Sequence, residues 1–320
     1  MASTLKDVSK VTGYSLITIS RALNCPEKLK PETLEKVQKA IAECGYHPNT
    51  AAQALVNRRT SIIYVYIPGD LTVSTPFFVQ VVAGIGEGLG QLGYSMLIKR
   101  SWYAGEPCDG LILMGLSEKD DARLRELVLE KPAVVFGNNT VADCFDVDNR
   151  LGEELAVDLA WEKGYRQLAY IGIDQKKVFC HDRQKGFEDG LKKHHLQAVA
   201  MAATNNKEES GYSLTKTLLK KTPRPDLFVC ASDDLAIGAL RAINEAGLAI
   251  PSEVGIIGFD GLGSEKNTFP RLSTIHQPIF EVGEELAKAI VDKVKAKAVT
   301  SSSAKTTFYP PVVYLNGTTR

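Results

Sequence analysis

Residues 4–24 read TLKDVSKVTGYSLITISRALN. Leu5, Val8 and Val11 recur at helical spacing and give a short first helix one buried face. Gly13 breaks the pattern, as a tight turn between two helices requires. Ser15 stands where an N-cap starts a second helix, with Ile19, Ala22 and Leu23 as its inward stripe. Leu16, Ile17, Ser20 and Arg21 then face away from the packed side. Two short helices, a glycine turn and an outward face ending in Arg21 predict a helix-turn-helix, whose second helix enters the DNA major groove. An ordinary helical hairpin is the alternative that this stretch alone leaves open.

Working outward, Pro31 opens a third helix with Leu34, Val37, Ala40 and Ile41 as its apolar stripe. Gly45 closes it and Pro48 prevents continuation, so residues 1–48 form a small all-α headpiece. Residues 49–57, NTAAQALVN, permit a helix too short to be stable alone, and with Arg58 and Arg59 they make residues 49–60 a hinge helix and linker.

From Ile62 onward short apolar runs alternate with amphipathic helical patterns. Strands are expected at 62–67, 94–99, 110–114, 133–136, 168–173, 227–232 and 254–260, with a late strand at 308–315. Helical patterns at 152–163, 184–195 and 235–246 lie between them, so residues 61–320 read as βαβ units with parallel sheets. Seven or more strands fit either one large doubly wound sheet or two lobes.

The 320 residues leave room for a small domain plus one or two of typical size, and 44% apolar residues suffice for buried cores. No apolar run approaches the ~20 residues of a membrane span, and Lys6, Asp7 and Lys10 interrupt any signal-peptide pattern, so a cytoplasmic protein is expected. Cys25, Cys44, Cys108, Cys144, Cys180 and Cys230 form no C-x-x-C pair, which points to reduced, packed thiols rather than a metal or redox site. Net charge is zero, but residues 1–60 carry nine Lys/Arg against five Asp/Glu, a net +4, leaving −4 on the remainder. A basic head on a mildly acidic body suits a DNA-binding module joined to a regulatory domain.

The motifs T-L-K-D-V (4–8), G-Y-S-x-x-T-I-S-R-A-L-N (13–24) and G-Y-x-P-N-x-x-A-x-x-L (45–55) resemble the lactose/galactose repressor (LacI/GalR) family of bacterial transcription regulators. Further family-like stretches follow in order: P-F-F (76–78), D-V-D-N (146–149), D-R-Q-K-G-F (182–187), A-S-D-D-L-A-I-G-A-L-R-A-I (231–243), I-P-S-E-V-G-I-I-G-F-D (250–260) and L-S-T-I-H-Q-P (272–278). The resemblance implies an α/β core of two Rossmann-like lobes, periplasmic-binding-protein-like, in a homodimer or larger assembly. It also implies a small-molecule effector between the lobes that changes affinity for a pseudo-palindromic operator in double-stranded DNA.

Carried over by position, the resemblance places Leu16, Ile17 and Arg21 where the family reads major-groove bases. Thr4, Leu5, Ser15, Thr18, Ser20 and Asn24 fall where it holds phosphates and orients the helix. Arg21 has the geometry to bond guanine bidentately, whereas Leu16 and Ile17 either meet thymine methyls or, for one of them, pack into the headpiece core. Ala52 and Leu55 match hinge positions that enter the minor groove, where an apolar wedge kinks the duplex.

In the core, Phe77 and Phe78 are expected to face the cleft and to suit a sugar ring or a purine. Arg183 and Asp260 are the expected polar clamps, Asp260 accepting sugar hydroxyls and Arg183 donating to ring oxygens or a phosphate. Ser232 stands where many relatives carry Asn, while Asn138, Asn139 and Gln277 read either as further contacts or as loop caps and surface residues.

One interval departs from the family pattern. Only RSWYAGEPCD (100–109) separates two expected strands, where relatives place a full helix, so Trp102 and Tyr103 are expected to cover the sheet face. Gly84, Gly86, Gly88 and Gly90 miss the G-x-G-x-x-G pattern and read as close helix packing. His194-His195 and Asp233-Asp234 lack metal-ligand spacing and read as surface or helix-start residues, and no nucleophile motif marks a catalytic site. No cofactor or metal is expected. The combined expectation is a non-enzymatic repressor of a carbohydrate-use operon answering to a sugar or sugar phosphate, with a dimer favoured because no C-terminal leucine heptad follows the last strand. A purine, a phosphoprotein partner, or a sugar-binding transport protein are the alternatives.

Overall fold

The computed structural model describes residues 4–24, 26–46, 59–69, 72, 74–297 and 304–320. The chain divides into two compact units, Met1–Thr60 and Ser61–Arg320.

The first unit holds α1 (Leu5–Thr12), α2 (Leu16–Asn24) and α3 (Pro31–Glu43). Val8, Ile19 and Val37 are fully buried and, with Ala22 and Ala40, form one core, edged by Leu5, Leu34 and Ile41. The Asp7 carboxylate accepts from the Thr4 backbone N–H (3.0 Å) and hydroxyl (2.7 Å), fastening the start of α1. Those two bonds hold the Asp7 carboxyl below its usual range. Gly13 takes φ +71° and its N–H closes the helix on the Ser9 carbonyl. Ser15 Oγ accepts the Thr18 N–H at 3.2 Å, so it caps α2 as its position predicts. Val11, expected on the buried face, is instead 60% exposed. Steps of three residues lag the 3.6-residue period by about 60° each, so the packed line runs through Leu5 and Val8 and leaves Val11 outside.

The second unit contains two six-stranded sheets, which decides between the two architectures the strand pattern allowed. The first lobe orders its strands β11-β5-β4-β3-β1-β2, all parallel: β1 (Ile62–Tyr66), β2 (Ser95–Lys99), β3 (Gly110–Met114), β4 (Ala133–Phe136), β5 (Asp143–Val147) and β11 (Thr306–Tyr309). The second orders β12-β10-β9-β8-β6-β7, from β6 (Leu168–Ile173), β7 (Ala200–Thr204), β8 (Leu227–Cys230), β9 (Gly255–Asp260), β10 (Ser273–His276) and β12 (Val312–Tyr314). Among the described residues only the β10–β12 pair is antiparallel. The single late strand expected at 308–315 is two strands, one per lobe. Pro310 and Pro311, which have no N–H for a ladder, separate them.

The helices of this unit are α4 (Pro76–Gln91), α5 (Asp121–Glu130), α6 (Asn149–Glu162), α7 (Val178–Lys193), α8 (Glu208–Leu218), α9 (Asp233–Glu245) and α10 (Ile279–Ala296). Because α6 packs in the second lobe and α10 returns to pack on α4 and β3–β5, the chain passes between lobes three times: after β5, after β10 and at Pro310–Pro311. The glycines of α4 serve close helix packing. A Cβ on Gly84 would strike the Phe280 carbonyl of α10, and one on Gly88 would lie 2.8 Å from the Ala287 Cβ. Among the described residues no helix is long and apolar enough to cross a membrane. Cys108, Cys144, Cys180 and Cys230 are buried free thiols.

No helix links β2 to β3. Tyr103, 9% exposed, stands edge-on to Tyr64 at 5.4 Å, and Trp102 to Tyr66 at 5.3 Å. The Arg123 guanidinium lies 4.8 Å over Trp102, and the Tyr64 hydroxyl donates to the Ser101 carbonyl at 2.6 Å. Two aromatic side chains thus cover the face that a crossover helix would cover. Tyr103→Ala should therefore cost about 3 kcal/mol of stability, as for truncation of other buried aromatics. A denaturant midpoint unchanged from wild type would show the loop to be dispensable to the lobe.

Candidate effector cleft and DNA-reading helix

Parallel strands deliver their C-terminal ends to one side of a sheet, and both lobes turn that side toward a shared cavity of about 420 Å³. The first lobe contributes Phe77 from the start of α4, Phe136 from β4, Asn138 beyond it and Asp146 from β5. The second contributes Phe179 and Arg183 from α7, Asn206 after β7, Asp233 and Asp234 from α9, and Asp260 at the end of β9.

Arg183 is 4% exposed. Its Nε–H donates to Asn149 Oδ1 at 2.9 Å, and its Nη1 donates to the Ala231 carbonyl at 2.6 Å and to Asp260 Oδ1 at 3.4 Å. The guanidinium stacks 3.7 Å over Phe259 and 5.1 Å from Phe179. Asp260 has φ +129°, a conformation rare for a side-chain-bearing residue. Its carbonyl accepts the Gln277 N–H at 2.9 Å and its Oδ1 accepts the Gln277 amide at 2.7 Å, fixing the carboxylate at the cleft wall.

Burial pushes the Asp260 carboxyl up to about 6, against the downward pull of Arg183. Burial likewise pushes Asp146 up to about 7 and Glu153, behind the wall on α6, up to about 8. Asp233 is raised well above its usual range by burial and by the nearby Asp260 charge. It is not a surface residue: its two oxygens accept the Gly261 N–H (2.8 Å) and the Thr274 hydroxyl (2.6 Å) while it opens α9.

Of the residues singled out in the sequence, Phe77, Asn138, Arg183, Asp260 and Gln277 line one cavity. Phe77 meets Phe136 edge-on at 5.4 Å. Phe78 does not face the cleft. Successive helical residues point about 100° apart, and Phe78 packs on the first lobe's core beneath Arg100. Ser232 is 1% exposed and outside the cavity lining; its Oγ accepts the Leu235 N–H at 3.2 Å to cap α9 and donates to Asn206 Oδ1 at 2.5 Å. Asn206, not Ser232, presents an amide to the cavity. Asn139 is a loop staple, its Oδ1 accepting the Val141 N–H at 2.6 Å.

Asn149, Asp146 and Asn206 also line the cavity and are not among the candidate site residues that the sequence singles out. The first two lie in the D-V-D-N stretch, where an Asp-Asn pair opening a helix was the available signal. Asn206 follows a strand that the apolar pattern did not reveal.

On α2, Leu16 is 42% and Ile17 65% exposed, so neither packs into the headpiece core. Arg21 is exposed, Thr18 and Ser20 are half-buried, and Asn24 ends the helix. Thr4 and Ser15 cap α1 and α2, whereas the Leu5 side chain packs against the core. Ala52 and Leu55 lie outside the described residues.

Residues 4–49 match the family of bacterial regulatory proteins, lacI family, and residues 157–313 match the periplasmic binding protein-like domain. Over 319 residues the chain is 32% identical to an HTH-type transcriptional regulator of Bacillus subtilis (strain 168), YvdE, covering 99% of each chain. It belongs to the LacI family of transcriptional regulators. Its fold is that of the lac repressor dimer bound to operator and the anti-inducer ONPF (TM-score 0.78, 24% identity, 99% of both chains). The transcriptional regulator CelR in complex with cellobiose shares it too (TM-score 0.72, 24% identity, 99% of both chains).

Asp146, Glu153 and Asp260 bind protons more tightly folded than unfolded, since each folded pKa lies above the unfolded carboxyl range. Their contribution is therefore fully present below about pH 4 and is lost as pH rises through about 6 to 8. The melting temperature of the ligand-free protein should fall between about pH 5 and pH 8. A flat or rising profile by scanning calorimetry would show these carboxyls to be ionised in the folded state.

Proposed function

We propose that the chain is a dimeric repressor of carbohydrate-use genes whose effector is an uncharged sugar bound in the cleft. The observation that carries this reading is the charge of the lining. Asp146, Asp233, Asp234 and Asp260 face a cavity whose cations are Arg183 and Lys177, and Arg183 is already bonded to Asp260. Aspartic side chains exchange hydrogen bonds with hydroxyls whether ionised or protonated, and with Arg183 committed to Asp260 the acid-rich wall offers a phosphate little positive charge, so a neutral polyol is favoured over a sugar phosphate. Phe77 and Phe179 offer apolar faces for the C–H side of a pyranose ring. The cellobiose complex of CelR, a protein of the same fold, supports a carbohydrate ligand.

In this reading residues 1–48 bind DNA, 49–60 form the hinge, and 61–320 bind effector and dimerise. Leu16 and Ile17 meet thymine methyls and Arg21 bonds a base edge, while Thr4, Ser15, Thr18, Ser20 and Asn24 hold the phosphates and orient α2. Leu5, with its side chain in the headpiece core, contributes through its backbone. Ala52 and Leu55 form the minor-groove wedge. Two copies related by a two-fold axis read a pseudo-palindromic operator. Effector binding at the cleft changes the affinity of that assembly for DNA by favouring one lobe arrangement over another.

Selection from random duplex DNA with the full chain tests the reading. A pseudo-palindromic sequence should be enriched, and Arg21→Ala should cost about 1–3 kcal/mol while relaxing preference at one position per half-site. Ribose, lactose or cellobiose should shift the affinity, and their phosphorylated forms should not. Binding that shows no preference over random DNA at physiological salt would refute the regulatory reading.

A further inference from the structure

Asn206 sits in the short turn between β7 and α8 and lines the cleft. The backbone of that turn is tied down beside it: the Lys207 N–H donates to the Asn205 carbonyl at 2.8 Å, and the Ser210 hydroxyl donates to the Asn205 side chain. The Asn206 side chain is held from elsewhere in the chain. Ser232 Oγ, buried at the start of α9, accepts the Leu235 N–H at 3.2 Å and donates its proton to Asn206 Oδ1 at 2.5 Å. An amide whose oxygen is occupied in this way turns its two Nδ2–H donors to the other side. The Ala231 carbonyl, one residue earlier, holds Arg183 Nη1 at 2.6 Å. Two consecutive residues after β8 therefore set the direction of two donors at the cleft.

Donors are what this wall lacks. It carries Asp146, Asp233, Asp234 and Asp260. Two of its amides bond within the protein, Gln277 to Asp260 Oδ1 at 2.7 Å and Asn149 to the Val147 carbonyl at 3.0 Å. The ring and glycosidic oxygens of a sugar only accept, so an ionised carboxylate cannot bond them. We propose that Asn206 donates from Nδ2 to an acceptor oxygen of the sugar, and that Ser232 is its positioning residue, acting on the ligand only through Asn206. The proposal rests on the reading of the cleft as a sugar site. Holding the amide in its donating orientation before the ligand arrives spares the ligand the cost of ordering it.

The test uses the full-length protein with Asn206→Ala, Asn206→Asp, Ser232→Gly, Ser232→Thr and the double variant Asn206→Ala/Ser232→Gly. Glycine serves as an N-cap nearly as well as serine, so Ser232→Gly removes the hydroxyl while largely sparing α9. Calorimetric affinity for cellobiose, lactose and ribose is measured alongside the NMR order parameter of the Asn206 side-chain amide. Both Asn206 variants should lose about tenfold in affinity for whichever sugar the wild type binds, with melting temperatures near wild type. Ser232→Gly should lower the amide order and the affinity, and Ser232→Thr, which keeps a hydroxyl, should restore both. The double variant should bind no more weakly than Asn206→Ala alone, because Ser232 has no other route to the ligand. Wild-type affinity in Asn206→Asp, amide order unchanged by Ser232→Gly, or additive losses in the double variant would each overturn the proposal. A wild type that binds none of the three sugars counts against the sugar reading, while the amide order still decides whether Ser232 positions Asn206.

Discussion

The guanidinium of Arg183 is the constraint around which the second lobe closes. A buried cation is tolerated only where surrounding acceptors replace water. Here they come from three places in the chain: Asn149 at the start of α6, Ala231 after β8, and the end of β9, which supplies the Asp260 carboxylate and the ring of Phe259 beneath. Meeting those demands brings the strand ends and the α6 N-terminus to one depth in the cleft. The uncommon backbone at Asp260 follows from the same requirement, because its carbonyl and carboxylate are both tied to Gln277.

Gln277 lies on the segment that returns the chain to the first lobe, and Asn149 lies next to the segment that leaves it. The polar cluster is therefore built on two of the three passages between lobes. A ligand that bonds Asp260 and Arg183 while stacking on Phe77 touches both lobes and the chain segments joining them. Only differential affinity for one lobe arrangement is needed to convert such binding into a change of state. In the other unit the contribution of the sequence is simpler. Caps at Thr4 and Ser15 and a left-handed Gly13 fix two short helices, and a five-residue core leaves Leu16, Ile17 and Arg21 outside.

Much of this was legible in the sequence because capping, glycine turns and apolar runs act locally. The headpiece helices and the strands of apolar sequence followed from them. The strands β5, β7 and β10 escaped because DCFDV, AMAAT and STIH carry too few bulky apolar residues to stand out. The site was legible where charge stands at a strand end or in a distinctive motif, as with Asp260 and Arg183. Phe78 and Ser232 lie off the cavity wall because adjacency and alignment do not fix side-chain direction: one turns into a core and the other caps a helix. The buried state of Glu153 and Asp233 depends on what packs over them, and no local pattern reports that.

Titration calorimetry of the wild type and Arg183→Lys against a neutral sugar and its phosphate tests the central claim most directly. If the cleft is an uncharged-sugar site organised by Arg183, wild type binds the neutral sugar and rejects the phosphate. Lysine then fails to restore binding, because it lacks the planar fork that reaches Asn149, Ala231 and Asp260 together. Tighter binding of the phosphorylated sugar, or undiminished binding by Arg183→Lys, would contradict the account.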